Sequence, residues 1–261
     1  MSDVLKVPIM AELMAEGRQP EILFWVGSAG SYDDRAKKIT RAFVKILNKA
    51  NVDFAVLGTE ESCTGDAAKR AGNEFLFQMQ AVTNIEILNA YEIKRIVTAC
   101  PHSYNTIKNE YPSLGGNYDV IHHTQYLKEL LETGKLQLNT SDLDLGALTF
   151  HDPCYLGRAN DEYNAPREVL QNLGVKIKEM KRTKKDALCC GAGGAQMFKD
   201  SEKGDKDINI LRTEDALETK PSIIATACPY CNTMMTDGIK FKEKEDKIKV
   251  LDIAEIIASA L

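Results

Sequence analysis

No apolar run in this sequence approaches the roughly 18 residues that a membrane-spanning helix requires. Positive charge is not in excess either: 33 Lys and Arg stand against 38 Asp and Glu, a net charge of −5. That balance argues against nucleic acid or an anionic membrane surface as the main partner. The opening residues, MSDVLKVPIMAELMAEGRQPE, lack the basic-then-apolar pattern of an export signal. The expected compartment is therefore the cytoplasm, with no direct membrane span. There is no P-loop Lys followed by Ser or Thr, no full dinucleotide fingerprint and no ferredoxin-type cysteine run. A bound nucleotide, nicotinamide or flavin is thus not expected.

The 261 residues suffice for one large domain or two small ones, and 44% apolar residues with 27% charged ones suit a globular chain. Seven of the residues are cysteines: Cys63, Cys100, Cys154, Cys189, Cys190, Cys228 and Cys231. An odd number in a long chain without an export signal argues against a disulfide framework and for metal or redox chemistry. Five of the seven fall between 154 and 231.

The sequence is written twice. VTACPHSYNT (97–106) matches ATACPYCNTM (225–234), EESCTGDAA (60–68) matches ALCCGAGGA (187–195), and FWVGSAG (24–30) matches TFHDPCYLG (149–157). The separations agree: 126 residues from Ser28 to Cys154, 127 from Cys63 to Cys190 and 128 from Cys100 to Cys228. Internal duplication explains three anchors at nearly one offset.

Each half opens on a short apolar run, EILFWVGS (21–28) and ALTFHDPC (147–154), expected as a strand. Helices are expected over 33–50, where Ile39, Phe43, Ile46, Leu47 and Ala50 recur at helical spacing, and over 165–174, which has a proline near its start and a glycine at its end. Further strands are expected at 52–58 and 175–180, long helices at about 66–90 and 200–218, and closing strands at RIVTAC, IIATAC, YDVIHH and IKVLDI. Such alternation implies an α/β fold: two pseudo-symmetric duplicated domains, each a mainly parallel sheet flanked by helices. The expected domains are 1–145 and 146–261, joined through the polar stretch 133–146. In this architecture ligands sit at the carboxyl ends of strands, where every cysteine motif falls.

Thiolates are soft ligands suited to iron–sulfur clusters, zinc or Cu(I). Cys228-Pro-Tyr-Cys231 can bring two of them to one metal at a helix start. Adjacent residues on a regular strand point to opposite faces, so Cys189 and Cys190 can serve one site only if the chain breaks there. Gly191-Ala192-Gly193-Gly194 permits that break. Five thiolates exceed the usual four of zinc, which favours a centre with several metal atoms. Zinc on part of the set, a thioredoxin-like Cys228–Cys231 pair and unmetallated thiols are the alternatives. A phosphate cradle at the glycine segment is another.

HDPCYLGR (151–158), CCGAGGAQMF (189–198) and ATACPYCNTM (225–234), in a duplicated chain, resemble the cysteine-rich CCG-domain family. That family includes the cysteine-rich component of heterodisulfide reductase and the iron–sulfur subunits of glycolate, lactate and glycerol-3-phosphate oxidoreductases. The resemblance spans nearly the whole chain. It implies a 4Fe–4S cluster, noncubane in heterodisulfide reductases, with Cys154, Cys189, Cys190, Cys228 and Cys231 as ligands. It also implies an electron-transfer subunit of an oxidoreductase complex, fed by a ferredoxin-type iron–sulfur subunit or a flavin dehydrogenase subunit and able to dock on a membrane-bound partner. A catalytic thiol–disulfide reductase subunit and a zinc-stabilised structural subunit are the other readings. The first half departs from the pattern: Ser28, Ser62 and Ser103 stand at cysteine positions, leaving Cys63 and Cys100 as remnants. This half is expected to have lost its cluster.

Other residues carry lesser expectations. His151 and Arg158 flank Cys154 and could act on the cluster from outside the ligand set, or serve the fold alone. His122 and His123 follow a strand, as core or cap, and His102 has no special claim. Trp25 and a Phe75–Met79–Val82 stripe read as core, and the basic run 181–185 as a solvated loop.

Overall fold

The structure is a computed structural model that describes residues 5–141, 143, 145–201 and 203–261. Two positions of the expected joint, Asp142 and Asp144, and one of the expected helix 200–218, Glu202, lie outside the described residues, as do the first four. The chain begins α1 (Met10–Ala15), β1 (Ile22–Trp25), α2 (Gly27–Tyr32), α3 (Ala36–Lys49), β2 (Phe54–Ala55), α4 (Asp66–Arg70) and α5 (Glu74–Ala90). It continues β3 (Arg95–Thr98), α6 (Pro101–Asn105), β4 (Asp119–His122) and α7 (His123–Glu132). The second half runs β5 (Leu148–Phe150), α8 (Asn164–Gln171), α9 (Ile208–Glu218), β6 (Ile223–Thr226), α10 (Pro229–Phe241), β7 (Lys249–Asp252) and α11 (Ile253–Ala258).

All strand pairs are parallel, in the orders β2-β1-β3-β4 and β5-β6-β7. A lone parallel bridge from Leu148 to Ile177 stands where β2 stands in the first sheet. The two halves are thus one α/β unit repeated. The repeat extends to its caps: His122 with Gln125 boxes the start of α7, and Asp252 with Glu255 boxes the start of α11.

The expected strand at 175–180 shrinks to that one bridge. Lys178 pairs with Leu148 (2.8 Å), and the next residue, Glu179, is already turned onto Arg167 (2.6 Å). The helix expected over 66–90 breaks at 71–73, where Gly72 takes φ +87° and Asn73 caps α5 through the Leu76 N–H (3.0 Å). The helix expected over 200–218 starts only at Ile208, because the stretch before it offers charges and Gly204 but no apolar residue to bury.

One apolar core runs through both halves. Phe24, Trp25, Phe43, Ile46 and Leu47 join Leu148, Phe150, Ile253 and Ile256 in it, all essentially excluded from solvent. Each such side chain contributes roughly 1.5–3 kcal/mol on burial. Helix α3 packs on α11, and Arg35 on its approach makes a bidentate pair with Glu255 (2.9 and 2.7 Å). His123 donates or accepts at Asp252 across the same seam (2.9 Å), both fully buried.

The α5 stripe expected as core faces outward: Phe75 is 76% exposed, Met79 53% and Val82 41%. The inward face is Phe77, Ala81, Asn84, Ile85 and Leu88. Both faces are apolar, so helical spacing cannot choose between them. Two contacts choose. Phe77 closes on Gly65, where a Cβ would lie 2.8 Å from its ring, and the Asn84 amide accepts from Ser62 (2.8 Å) and donates to the Cys63 carbonyl (3.0 Å).

Candidate metal centre

The five second-half cysteines arrive from three chain segments, two of them beyond strand ends and the third a loop. Past β5, Cys154 opens a run of turns after His151-Asp152-Pro153. Past β6, Cys228 caps α10 with Pro229 at its first position, and Cys231 lies in the first turn. The third segment, 183–191, is fastened to the first by Asp152. Its buried carboxylate accepts from both Arg167 nitrogens (2.8 and 2.9 Å), the Thr183 hydroxyl (3.1 Å) and the Lys184 N–H (2.9 Å). Burial opposes its charge, but Arg167 outweighs that and holds it below the usual carboxylate range.

The break after the cysteine pair is at Gly191, with φ +90°. A Cβ there would stand 2.5 Å from Ile208 Cγ2, so both the conformation and the space demand glycine. Its N–H donates to Cys189 Sγ (3.3 Å). The two thiols then part to different neighbours: Cys189 lies 3.9 Å from Cys154, and Cys190 lies 3.2 Å from Cys231, sulfur to sulfur. Cys190, Cys228 and Cys231 are buried with Ala192 in a small cluster of their own, while Cys154 and Cys189 are half-buried.

Crowding divides the protons among these sulfurs. Hydrogen bonds from Cys154 and Cys190 pull Cys189 down to about 2 against burial. Burial pushes Cys228 up, yet hydrogen bonds with Cys231 and His102 outweigh it and bring it to about 5. Cys154 is pushed up by its bond to Cys189, Cys190 likewise by Cys189, and Cys231 by Cys190. Negative charge on one sulfur thus opposes it on the next, and a bound cation would relieve that opposition.

His151 is fully buried next to this group. Its Nδ1 accepts from Arg212 Nε (2.9 Å), while its Nε2 has no hydrogen-bond partner. One donor atom each from His151, Cys190 and Cys231 lie within 4.8 Å of one another. Burial, then Arg212, pushes the imidazole down to about 3. Arg158 is exposed and points elsewhere: it donates to the Ala187 carbonyl and reaches that of Lys185 (3.5 Å), bracing the loop before the cysteine pair. In the basic run, Lys181 and Arg182 are not free but pair with Asp215 (3.4 and 2.6 Å).

The first half turns the equivalent edge toward the same place. Cys100 caps α6 and is buried; burial, then Cys228, pushes it up to about 12. Cys63 is half-buried, and the Gly65 N–H reaches its sulfur (3.5 Å) with Gly65 at φ +87°. This repeats the Cys189–Gly191 turn. By geometry Cys63 corresponds to Cys189, not Cys190, and Thr64 stands where Cys190 does. Ser28, Cys63, Cys100 and Ser103 line a small cavity between the halves, about 40 Å³, closed from the other side by Ala192, Met197, Phe198 and Tyr230. None of the five second-half cysteines lines it.

His102, to which the sequence assigned no role, links the halves at this edge. Its Nδ1 pairs with Asp66 (2.9 Å), and its ring stacks on Tyr155 (4.3 Å) and meets Tyr230 edge-on (5.1 Å). Burial disfavours its charge, but Asp66 and Cys228 reverse that and raise it to about 9. The signal was its register: it follows Cys100-Pro101 as Tyr230 follows Cys228-Pro229.

A family profile described as the cysteine-rich domain, CCG, matches residues 22–108 and 148–236. Among curated proteins, the chain is 48% identical over 98% of its length to the probable iron-sulfur-binding oxidoreductase FadF of Bacillus subtilis, covering 36% of that protein. It is 44% identical over 97% of its length to the EtfAB:quinone oxidoreductase of Syntrophomonas wolfei, covering 36%. It is 36% identical over 92% of its length to one component of the dihydromethanophenazine:CoB--CoM heterodisulfide reductase of Methanosarcina barkeri, covering 59%. The chain therefore spans between about a third and three fifths of these relatives.

Proposed function

This chain belongs to the cysteine-rich CCG-domain family, and on that premise we propose that it is an iron–sulfur electron-transfer unit of an oxidoreductase complex. One cluster sits on Cys154, Cys189, Cys190, Cys228 and Cys231, in the half 146–261. The half 1–145 has lost its ligands and serves as a wall and brace. The observation that carries this reading is the meeting of five thiols from three separate segments, with sulfur pairs 3.9 and 3.2 Å apart. The donor set fits the group. All five ligands are soft, their number exceeds the four of structural zinc, and buried His151, whose Nε2 has no partner, has a ring nitrogen within 4.8 Å of Cys190 and Cys231.

Bound there, a 4Fe–4S cluster supplies a one-electron centre. The chain's own residues fix and shield it. Gly191 aims the two adjacent thiolates apart, the Asp152–Arg167 pair ties two ligand segments together, and Ala192, Met197, Tyr230 and Met234 exclude water. The noncubane form is the cluster type proposed. The half-buried side, at Cys154 and Cys189, is where an electron partner comes closest. That partner is a ferredoxin-type iron–sulfur unit or a flavin dehydrogenase subunit, with docking to a membrane-bound component. No helix among the described residues is long and apolar enough to cross a membrane.

The thiol–disulfide reductase reading needs a substrate cavity open to the cluster ligands. The cavity between the halves is lined by Cys63 and Cys100 and by none of the five, which favours relay. Replacing Cys190 by serine tests the assignment. Most iron and the visible absorbance should vanish while circular dichroism stays; iron retained at the wild-type level would refute it.

A further inference from the structure

We infer that His151 donates a hydrogen bond from Nε2–H to a sulfur of the bound cluster, and that Arg212 fixes the ring form that makes it a donor. This rests on the iron–sulfur reading above. The first step is proton bookkeeping. A guanidinium has N–H groups and no lone pair to offer, so Arg212 Nε can only donate in its 2.9 Å contact with His151 Nδ1. Nδ1 must then present its lone pair. A ring with a lone pair at Nδ1 carries its one proton on Nε2, and the doubly protonated ring is excluded for as long as this bond stands.

The arrangement is rigid. Arg212 is completely buried on α9, and its Nη1 donates to the Arg182 carbonyl (2.6 Å) and reaches Asp215 (3.4 Å). Asp215 is itself held by Arg182 (2.7 and 2.6 Å). The guanidinium cannot swing off, and the imidazole cannot flip without losing its only charged neighbour at Nδ1.

The second step is the destination of the Nε2 proton. A buried donor without an acceptor costs roughly 1–3 kcal/mol, and native proteins seldom leave one. Nε2 of His151 is such a donor. One ring nitrogen lies within 4.8 Å of the Cys190 and Cys231 sulfurs, and since Nδ1 is held by Arg212, Nε2 is the nitrogen free to serve them. The acceptor it lacks is the electron-rich sulfur that the cluster brings, either a ligating thiolate or an inorganic sulfide. A protonated Nε2 has no lone pair for iron, so His151 is a positioning and tuning residue and not a sixth ligand. A hydrogen bond to cluster sulfur stabilises the more negative, reduced state and so raises the reduction potential.

The test uses the iron-loaded full chain. His151→Phe should keep iron and sulfide at the wild-type ratio and lower the reduction potential. A tenfold change in the redox equilibrium is expected, which is about 59 mV for a one-electron couple. His151→Gln, which can still donate, should recover part of the shift. In pulsed EPR of the paramagnetic wild type labelled with ¹⁵N-histidine, a weak nitrogen coupling and an exchangeable proton should be seen, and both should vanish in His151→Phe. An unchanged potential with iron retained overturns the inference. So does a strong, ligand-type nitrogen coupling in the wild type, which needs no variant to fold. Absence of iron from the wild type overturns the iron–sulfur reading first, and is seen before any variant is made.

Discussion

Gly191→Ala is the substitution whose cost can be worked out most fully. The residue has φ +90°, in the left-handed region, where a side chain costs roughly 1–2 kcal/mol. The new methyl would also stand 2.5 Å from Ile208 Cγ2, and forcing an extra carbon into a packed site costs typically about 1–3 kcal/mol. Together the penalty is about 2–5 kcal/mol, against a total stability of roughly 5–15 kcal/mol for a domain. The chain should therefore still fold, but with the Cys189–Cys190 turn displaced and both ligands misdirected. Gly174→Ala is the control: its φ is +73°, yet nothing lies within 4 Å of the added carbon, so only the conformational cost of roughly 1–2 kcal/mol remains. Urea unfolding and iron content should be measured on both. Gly191→Ala should lose about twice as much stability as Gly174→Ala and most of its iron, while Gly174→Ala keeps its iron. Equal losses, or full iron in Gly191→Ala, would show that the turn does not set the ligand geometry.

Two further outcomes follow from groups outside the proposed cluster site. Replacing His123 by leucine leaves the buried Asp252 carboxylate with the Ala254 N–H (2.9 Å) but without its partner across the seam (2.9 Å), so stability should drop by about 3 kcal/mol in urea unfolding; a loss under about 0.5 kcal/mol would mean the pair does not fasten the halves. Glu61 accepts from the Val26 and Gly27 N–H groups (2.9 and 2.6 Å), but burial lifts its carboxyl from 4.5 to about 7. A carboxyl raised on folding binds more protons in the native state, so its contribution is full below pH 4.5 and is lost as pH rises through about 7. Solvent screening at this half-buried site limits the change to about 2 kcal/mol. The melting temperature should fall from pH 5 to pH 8 in the wild type and less in Glu61→Gln; parallel profiles would refute the shift.

The repeat, the parallel sheets and the strand-end placement of Cys100, Cys154 and Cys228 were legible because they rest on spacing, which the sequence carries directly. The α3 face was legible too: Ile39, Phe43, Ile46 and Leu47 are apolar on one side only, and all are buried. Rotation of α5 was not, because Phe75, Met79 and Val82 are as apolar as the Phe77–Ile85–Leu88 face that packs inward. Strand 175–180 failed for a different reason: a long-range ion pair, Arg167 with Glu179, overrides a local alternation. The same limit hid the partners of His102 and His151. Asp66, Tyr155 and Arg212 lie 36, 53 and 61 residues from the histidines they touch, and spacing within a motif says nothing about them. Correspondence within the repeat also needed coordinates. The positive-φ glycines, Gly65 and Gly191, and their N–H contacts to sulfur align Cys63 with Cys189.

The most direct measurement is the iron, acid-labile sulfide and zinc content of anaerobically purified protein, with an absorption and EPR spectrum. One cluster in the second half predicts about four irons and about four sulfides per chain, without zinc. About eight irons would mean that the first half still holds a cluster on Cys63 and Cys100 despite its serines. One zinc with no sulfide would contradict the account and leave the five thiols as a structural site.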